Sequence, residues 1–162
     1  MLETYVQLDY FERMLLRANI RLMEMTEGRY ELVRSKEAEN KRSQSGLSLD
    51  VVDHYSGSER SVKSLSGGES FQASLALALG LSDTVQEEAG GIRLDAMFID
   101  EGFGTLSEGA LRAALNTLLE LAAGQRLVGV ISHVPELKEK IERQIRIRKQ
   151  ADGGSSAEII LP

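Results

Sequence analysis

The chain opens on a helix-forming pattern. Between Leu2 and Met25 the apolar residues Leu8, Phe11, Leu15, Ala18, Leu22 and Met25 recur in steps of three and four, one stripe on a helical period. That stripe has two readings: a surface helix packing on its own domain, or the seam of a coiled coil, for which the segment is short. Arg13, Arg17 and Arg21 stand four residues apart on another face. Such a ridge is ordinarily a solvated face, and its other reading is a contact to nucleic acid or protein. Gly28 closes the helix. Arg29 to Ser35 and Gly46 to Asp53 read as short strands, with Leu47, Leu49 and Val51 on one face of the second. The charged stretch Ser35 to Ser45 between them reads as a loop, and Ser56 to Ser64 as a further polar segment.

From Gly67 to about Glu88 the pattern is helical and apolar nearly all round (Phe71, Ala73, Leu75, Ala76, Leu77, Ala78, Leu79, Leu81), which predicts a central, buried helix. Gly90-Gly91 breaks it. Ile92 to Ile99 follows as a strand whose Ala96-Met97-Phe98-Ile99 run predicts burial on both faces. Ser107 to about Ala123 is helical, with Leu111, Ala114, Leu115, Leu118 and Leu119 at core spacing and Gly124 as the stop. Leu127 to Ile131 is a second buried strand, and Pro135 starts a short helix through about Ile141. Ile145, Ile147, Ile159 and Leu161 alternate as edge strands around the turn Asp152-Gly153-Gly154. A strand–helix–strand order with a long crossover implies a parallel, right-handed unit, so the fold class is α/β.

Composition narrows this. The 162 residues, 42% of them hydrophobic, suffice for one domain with a core. No apolar run approaches the ~20 residues of a membrane span, so no membrane is expected. The start carries no charged-then-apolar export pattern, and there are no cysteines, both of which fit a cytoplasmic protein. The histidines are His54 and His133 alone, which leaves little for a histidine metal centre, and His54 sits in a polar loop with no assigned role. A net charge of −6 argues against nucleic-acid binding by overall charge.

The candidate chemistry lies in two clusters. Ser66-Gly67-Gly68-Glu69 opens the buried helix. Ser-x-x-Glu is a capping box. A helix N-terminus with two glycines is also an anion site, because backbone N–H groups can approach a phosphate unobstructed. The two readings are compatible. Asp100-Glu101 directly follows the buried strand. Ligands bind at the carboxyl edge of such strands, and paired acids there are costly unless they meet a metal, a base or water. In phosphoryl-transfer sites the first carboxylate holds Mg²⁺ and a neighbour orients the attacking water; otherwise the pair is a solvated loop start. His133 follows the second strand and should emerge at the same edge, within reach of a γ-phosphate or a water. The phosphate loop G-x-x-x-x-G-K-[ST] does not occur in the chain.

Taken together these residues resemble the ATP-binding-cassette ATPases, and more narrowly the C-terminal lobe of the SbcC-type DNA-repair ATPases, relatives of the chromosome-maintenance proteins. Leu65-Ser66-Gly67-Gly68-Glu69 resembles the signature motif, Leu94 to Glu101 resembles Walker B with its catalytic glutamate, Gly102-Phe103-Gly104-Thr105-Leu106 resembles the approach to the D-loop, and Ile131-Ser132-His133 resembles the switch histidine. The chain departs from the family at Ser107, where an aspartate is usual; Ser107 still suits a helix N-cap.

The resemblance implies a largely parallel sheet flanked by helices. Residues 1–27 would be the end of a returning coiled-coil helix and 28–162 the C-terminal lobe. It implies ATP and Mg²⁺, with Asp100 on the metal, Glu101 and His133 catalytic, and Ser66, Gly67, Gly68 and Glu69 against the nucleotide of a partner head. The implied partners are an N-terminal lobe carrying the phosphate loop, a second head in a homodimer, an SbcD-type nuclease docking near Leu8 to Met25, and DNA, toward which the three arginines are candidates. The implied activity is ATP hydrolysis that switches head engagement and so nuclease access to DNA ends. The alternatives are a head lobe of a structural chromosome-organising ATPase and a binding module that kept the fold without catalysis.

Overall fold

The computed structural model describes residues 2–35, 48–88, 95–124, 126–151 and 153–162. The expected loop Ser35 to Ser45, the start of the Gly46 strand, the Gly90-Gly91 break, the first residues of the Ile92 strand and Asp152 of the last turn lie wholly or mostly outside them.

Helix α1 (Leu2–Met25) leads into a three-stranded antiparallel sheet of β1 (Tyr30–Arg34), β2 (Leu49–Asp53) and β3 (Ser58–Ser61). The last strand was not expected. Ser-Glu-Arg-Ser carries no apolar alternation, and β3 forms as a polar edge paired to β2 from Asp50↔Ser61 to Asp53↔Ser58. A 3₁₀ turn at Val62–Ser64 precedes α2 (Gly67–Glu88). Strand β4 (Ala96–Asp100), a second 3₁₀ turn at Phe103–Thr105, α3 (Glu108–Ala123) and β5 (Leu127–Ile131) form the anticipated parallel unit, in register from Ala96↔Leu127 to Asp100↔Ile131. Ser107 caps α3 through its hydroxyl, which accepts from the Ala110 amide at 3.4 Å. Short α4 (Pro135–Lys140) and the antiparallel hairpin β6 (Gln144–Lys149) with β7 (Ser155–Ile160) complete the chain.

The core forms where α1 crosses α2. Leu15, Ala18, Leu22 and Met25 of α1 are buried against Ala73, Ala76 and Leu79 of α2, with Tyr30, Leu32 and Val51 of the sheet and Leu111, Leu115 and Leu118 of α3 closing it. Buried Leu and Met side chains contribute about 1.5–3 kcal/mol each. The seam of α1 therefore packs on its own domain, and a different stripe, Leu16, Ile20 and Met23, is left open. Gly80 sets the crossing distance: a Cβ there would stand 2.7 Å from both the Ala18 amide nitrogen and the Met14 carbonyl oxygen. The arginine ridge is matched carboxylate by carboxylate. Arg13 pairs with Glu88 at 2.8 Å, Arg17 with Glu87, and Arg21 with Asp83 at 2.7 Å, so these guanidiniums tie α1 to α2.

Two expectations of complete burial fail in the same way. On β4, Met97 and Ile99 are half-buried over the helices, but Phe98 is 69% exposed, with Leu127 and Ile131 of β5 exposed on the same face. On α2, Ala78 and Leu81 are exposed while Ala76 and Leu79 are buried. Apolar composition determines what a face tolerates as a neighbour; it does not supply the neighbour. The β6–β7 hairpin likewise exposes Ile145, Ile147 and Ile159 on one face.

Candidate functional site

The first cluster is built around the start of α2. The backbone N–H of Ser66 donates to Glu69 Oε2 at 2.8 Å, and the Glu69 N–H donates back to Ser66 Oγ at 3.3 Å. This is the capping box that the spacing predicts, and it leaves Gly67 and Gly68 at the exposed N-terminus of a 22-residue helix. A third group enters that sequence reasoning missed. Tyr30, buried at the start of β1, donates its hydroxyl to Glu69 Oε1 at 2.6 Å. Nothing local announces it, since the two residues stand 39 positions apart. Burial works against the Glu69 carboxylate, but the donors Tyr30 and Ser66 and the charge of Arg60 outweigh it and hold its pKa below the ordinary 4.5. Burial, and then the bond to Glu69, push the Tyr30 hydroxyl above its ordinary 10.0.

The second cluster lies at the carboxyl edge of β4 and β5. Asp100 ends β4 opposite Ile131. The chain then turns sharply: Glu101 adopts φ 55°, in the left-handed region, and donates its N–H to the Ile131 carbonyl at 2.9 Å. Gly102 follows at φ 92°, and a Cβ there would fall 2.2 Å from the Phe71 ring. Phe71 meets buried Phe103 edge-on at 4.8 Å, which anchors the turn to α2. A non-glycine residue in the left-handed region costs energy that its surroundings must hold in place, and such residues concentrate at functional sites. The turn aims Glu101 outward: its Oε1 lies 4.0 Å from His133 Nδ1, and both side chains are exposed. Strand pairing thus brings Asp100, Glu101 and His133 to one edge, as expected.

The 102–106 segment joins the clusters. A Cβ on Gly67 would sit 3.6 Å from Thr105 Cβ, and one on Gly68 3.0 Å from the Thr105 carbonyl. On its other side Gly104 lies next to His133, 3.9 Å from its would-be Cβ to Nε2. His54, by contrast, bonds Glu31 at 2.9 Å, away from either cluster. A cavity of about 270 Å³ lined by Ala78, Leu81, Val85, Ala96 and Arg126 opens at the amino end of β4 and contains none of these groups.

Among the described residues no group of three His, Cys, Asp or Glu side chains could enclose a metal. The Asp100 carboxylate at the end of β4 is a donor of the kind Mg²⁺ takes, since that ion keeps several waters and binds one or two protein carboxylates alongside substrate phosphates. Also among the described residues, no helix is long and apolar enough to cross a membrane.

The backbone matches known structures. A structure titled for the ATP-driven dimerization and DNA-stimulated activation of SMC ATPases superimposes with a TM-score of 0.73, at 14% identity, over 97% of this chain and 89% of that one. An Smc head bound to the C-terminal winged-helix domain of ScpA gives 0.71, at 15% identity, over 95% and 44%. The fold is that of an SMC-type ATPase head lobe. Sequence narrows the class further: the family profile described as SbcC/RAD50-like, Walker B motif, matches residues 36–120, and the chain belongs to that family. It is 57% identical to the SbcC component of the nuclease SbcCD from Staphylococcus saprophyticus over 140 residues, 86% of this chain. To the corresponding protein of Staphylococcus aureus it is 48% identical over 147 residues, 91% of this chain. The chain spans 14% of the length of these curated relatives.

Proposed function

We propose that this chain is the C-terminal lobe of an SbcC-like ATPase head that hydrolyses ATP when an N-terminal lobe supplies the phosphate loop. The observation that carries the reading is the convergence of Asp100, Glu101 and His133 at one exposed edge, with Glu101 held outward by a left-handed backbone. On the outer face of the β4–β5 pair that ends at this edge, Phe98, Leu127 and Ile131 lie uncovered. Burying side chains of this size yields about 1.5–3 kcal/mol each before association costs, a driving force for a second lobe to cover them. In this reading residues 1–27 end the returning coiled-coil helix, with Leu16, Ile20 and Met23 facing its mate.

In the assembled head Asp100 would hold Mg²⁺, which would supply positive charge against the nucleotide's phosphates. Glu101 orients the attacking water and takes its proton, and His133 donates a hydrogen bond to the γ-phosphate. Ser66 and the Gly67 and Gly68 amides act in trans, on nucleotide held by a second head. Engagement of two heads around ATP then controls an SbcD-type nuclease at DNA ends. The carboxylates matched to Arg13, Arg17 and Arg21 remove those residues as the first choice for DNA contact.

The test is ATP hydrolysis with Mg²⁺ by this chain alone and after mixing with the N-terminal lobe. Turnover that appears only on mixing, and that Glu101→Gln abolishes while ATP-driven engagement persists, supports the reading. Association of the two lobes without turnover refutes it in favour of a fold retained for binding.

A further inference from the structure

The end of α1 is wired to the start of α2 by side chains outside the motifs. Gln72, buried in the second turn of α2, donates to the Met25 carbonyl at 2.9 Å. The Tyr30 backbone N–H donates to Thr26 Oγ1 at 3.2 Å, which seats the tyrosine under the last turn of α1. Its ring lies beneath the Arg29 guanidinium, 4.7 Å from the centroid, with Arg60 at 5.8 Å. The ring is thereby clamped, and its hydroxyl reaches Glu69 Oε1 at 2.6 Å. The other carboxylate oxygen takes the Ser66 amide, and the Glu69 amide in turn binds Ser66 Oγ. A carboxylate held at both oxygens has one orientation; held only from the serine side, it is free to swing.

We propose that Tyr30 is a positioning residue for Ser66: it immobilises Glu69 and so sets, from the base of α1, the direction in which Ser66 Oγ and the Gly67 amide are presented to nucleotide on a partner head. This rests on the trans reading given above. Tyr30 touches no nucleotide in that arrangement. Its effect runs through Glu69 and falls on engagement between heads, with little on nucleotide binding within one head.

The experiment uses full-length protein and measures ATP-driven head engagement against protein concentration, beside single-head nucleotide affinity and thermal melting. Tyr30→Phe keeps the ring under Arg29 and removes only the hydroxyl. It should weaken engagement about ten- to a hundredfold, the scale of one hydrogen bond to a charged group, with nucleotide affinity within about twofold of wild type. Glu69→Gln leaves Tyr30 and the core in place and should lose at least as much. The double variant should then be no worse than Glu69→Gln alone, because the tyrosine acts through the glutamate. Wild-type engagement in Tyr30→Phe, or in Glu69→Gln should Tyr30→Phe fail to fold, overturns the proposal, as does strict additivity of the two. Ser66→Arg separates the levels. If it still engages, the trans reading falls and this proposal with it; if it is blocked while Tyr30→Phe engages normally, only the positioning role falls.

Discussion

Replacing Gly80 by alanine sets two effects of opposite sign against each other, and the geometry decides between them. On helix propensity alone the change stabilises α2 by about 1 kcal/mol. The added Cβ, however, would stand 2.7 Å from the Ala18 nitrogen, 2.7 Å from the Met14 carbonyl oxygen and 2.9 Å from the Ala18 Cβ. All three belong to the backbone or to a side chain with no rotamer to yield. Restoring contacts of about 3.4 Å forces α1 and α2 apart by roughly 0.7 Å, and a gap of that size forfeits a quarter to a half of each dispersion contact along the crossing. Overpacking of this kind costs about 1–3 kcal/mol, and with rigid atoms on both sides the upper end applies. The net loss is then about 2 kcal/mol, or a melting temperature lower by about 4–8 °C for a chain of this length. Thermal unfolding of the two proteins side by side, followed by circular dichroism, measures it. A Gly80→Ala protein that melts at or above wild type refutes the close crossing of α1 on α2 at Ala18.

Other outcomes follow from the same geometry. Glu101→Gln in the assembled head should lower turnover by about 10²–10⁴, the range of a lost general base, while engagement in ATP remains; turnover kinetics and analytical ultracentrifugation read the two separately. Gly102→Ala must place a side chain at φ 92° against Phe71, which displaces Glu101, so hydrolysis should fall together with melting temperature. Phe98→Asp should leave the melting of this chain nearly unchanged, because the ring is already 69% exposed, yet abolish its binding to the N-terminal lobe in calorimetry. The Glu69 carboxyl has a folded pKa below the ordinary 4.5, so its stabilisation is complete above that value and is lost as pH falls through the depressed one. Tyr30 has the opposite sign: its contribution is complete below 10.0 and is lost as pH rises through the raised value. Acid titration of Glu69→Gln should accordingly be flatter below about pH 4.5 than that of wild type.

What could be read from the sequence was what is encoded locally. The capping box of Ser66 and Glu69 and the cap at Ser107 are contacts within one helical turn, and both form as spacing predicts. The edge that gathers Asp100, Glu101 and His133 follows from two apolar strands and a connecting helix, because parallel pairing leaves their carboxyl ends little choice. The left-handed turn at Glu101 was not legible, since it depends on Phe71 and Phe103 packing from another element. Nor was Tyr30, whose partner is 39 residues away. The two-sided burial expected of β4 failed because, among the described residues, no element packs over the face that carries Phe98, Leu127 and Ile131.

The buried Asn19 bears on solubility. Its Nδ2 donates to the Leu32 carbonyl and its Oδ1 accepts from the Leu32 N–H, each at 2.8 Å, so one side-chain amide imitates the peptide of an adjoining strand. Thr26 does the same for the Tyr30 N–H. The outer rim of β1 therefore offers a stray polypeptide little to pair with, and the opposite rim, β3, is polar and charged. Before any partner arrives, this antiparallel sheet is already protected against the strand-by-strand accretion that leads to fibrils.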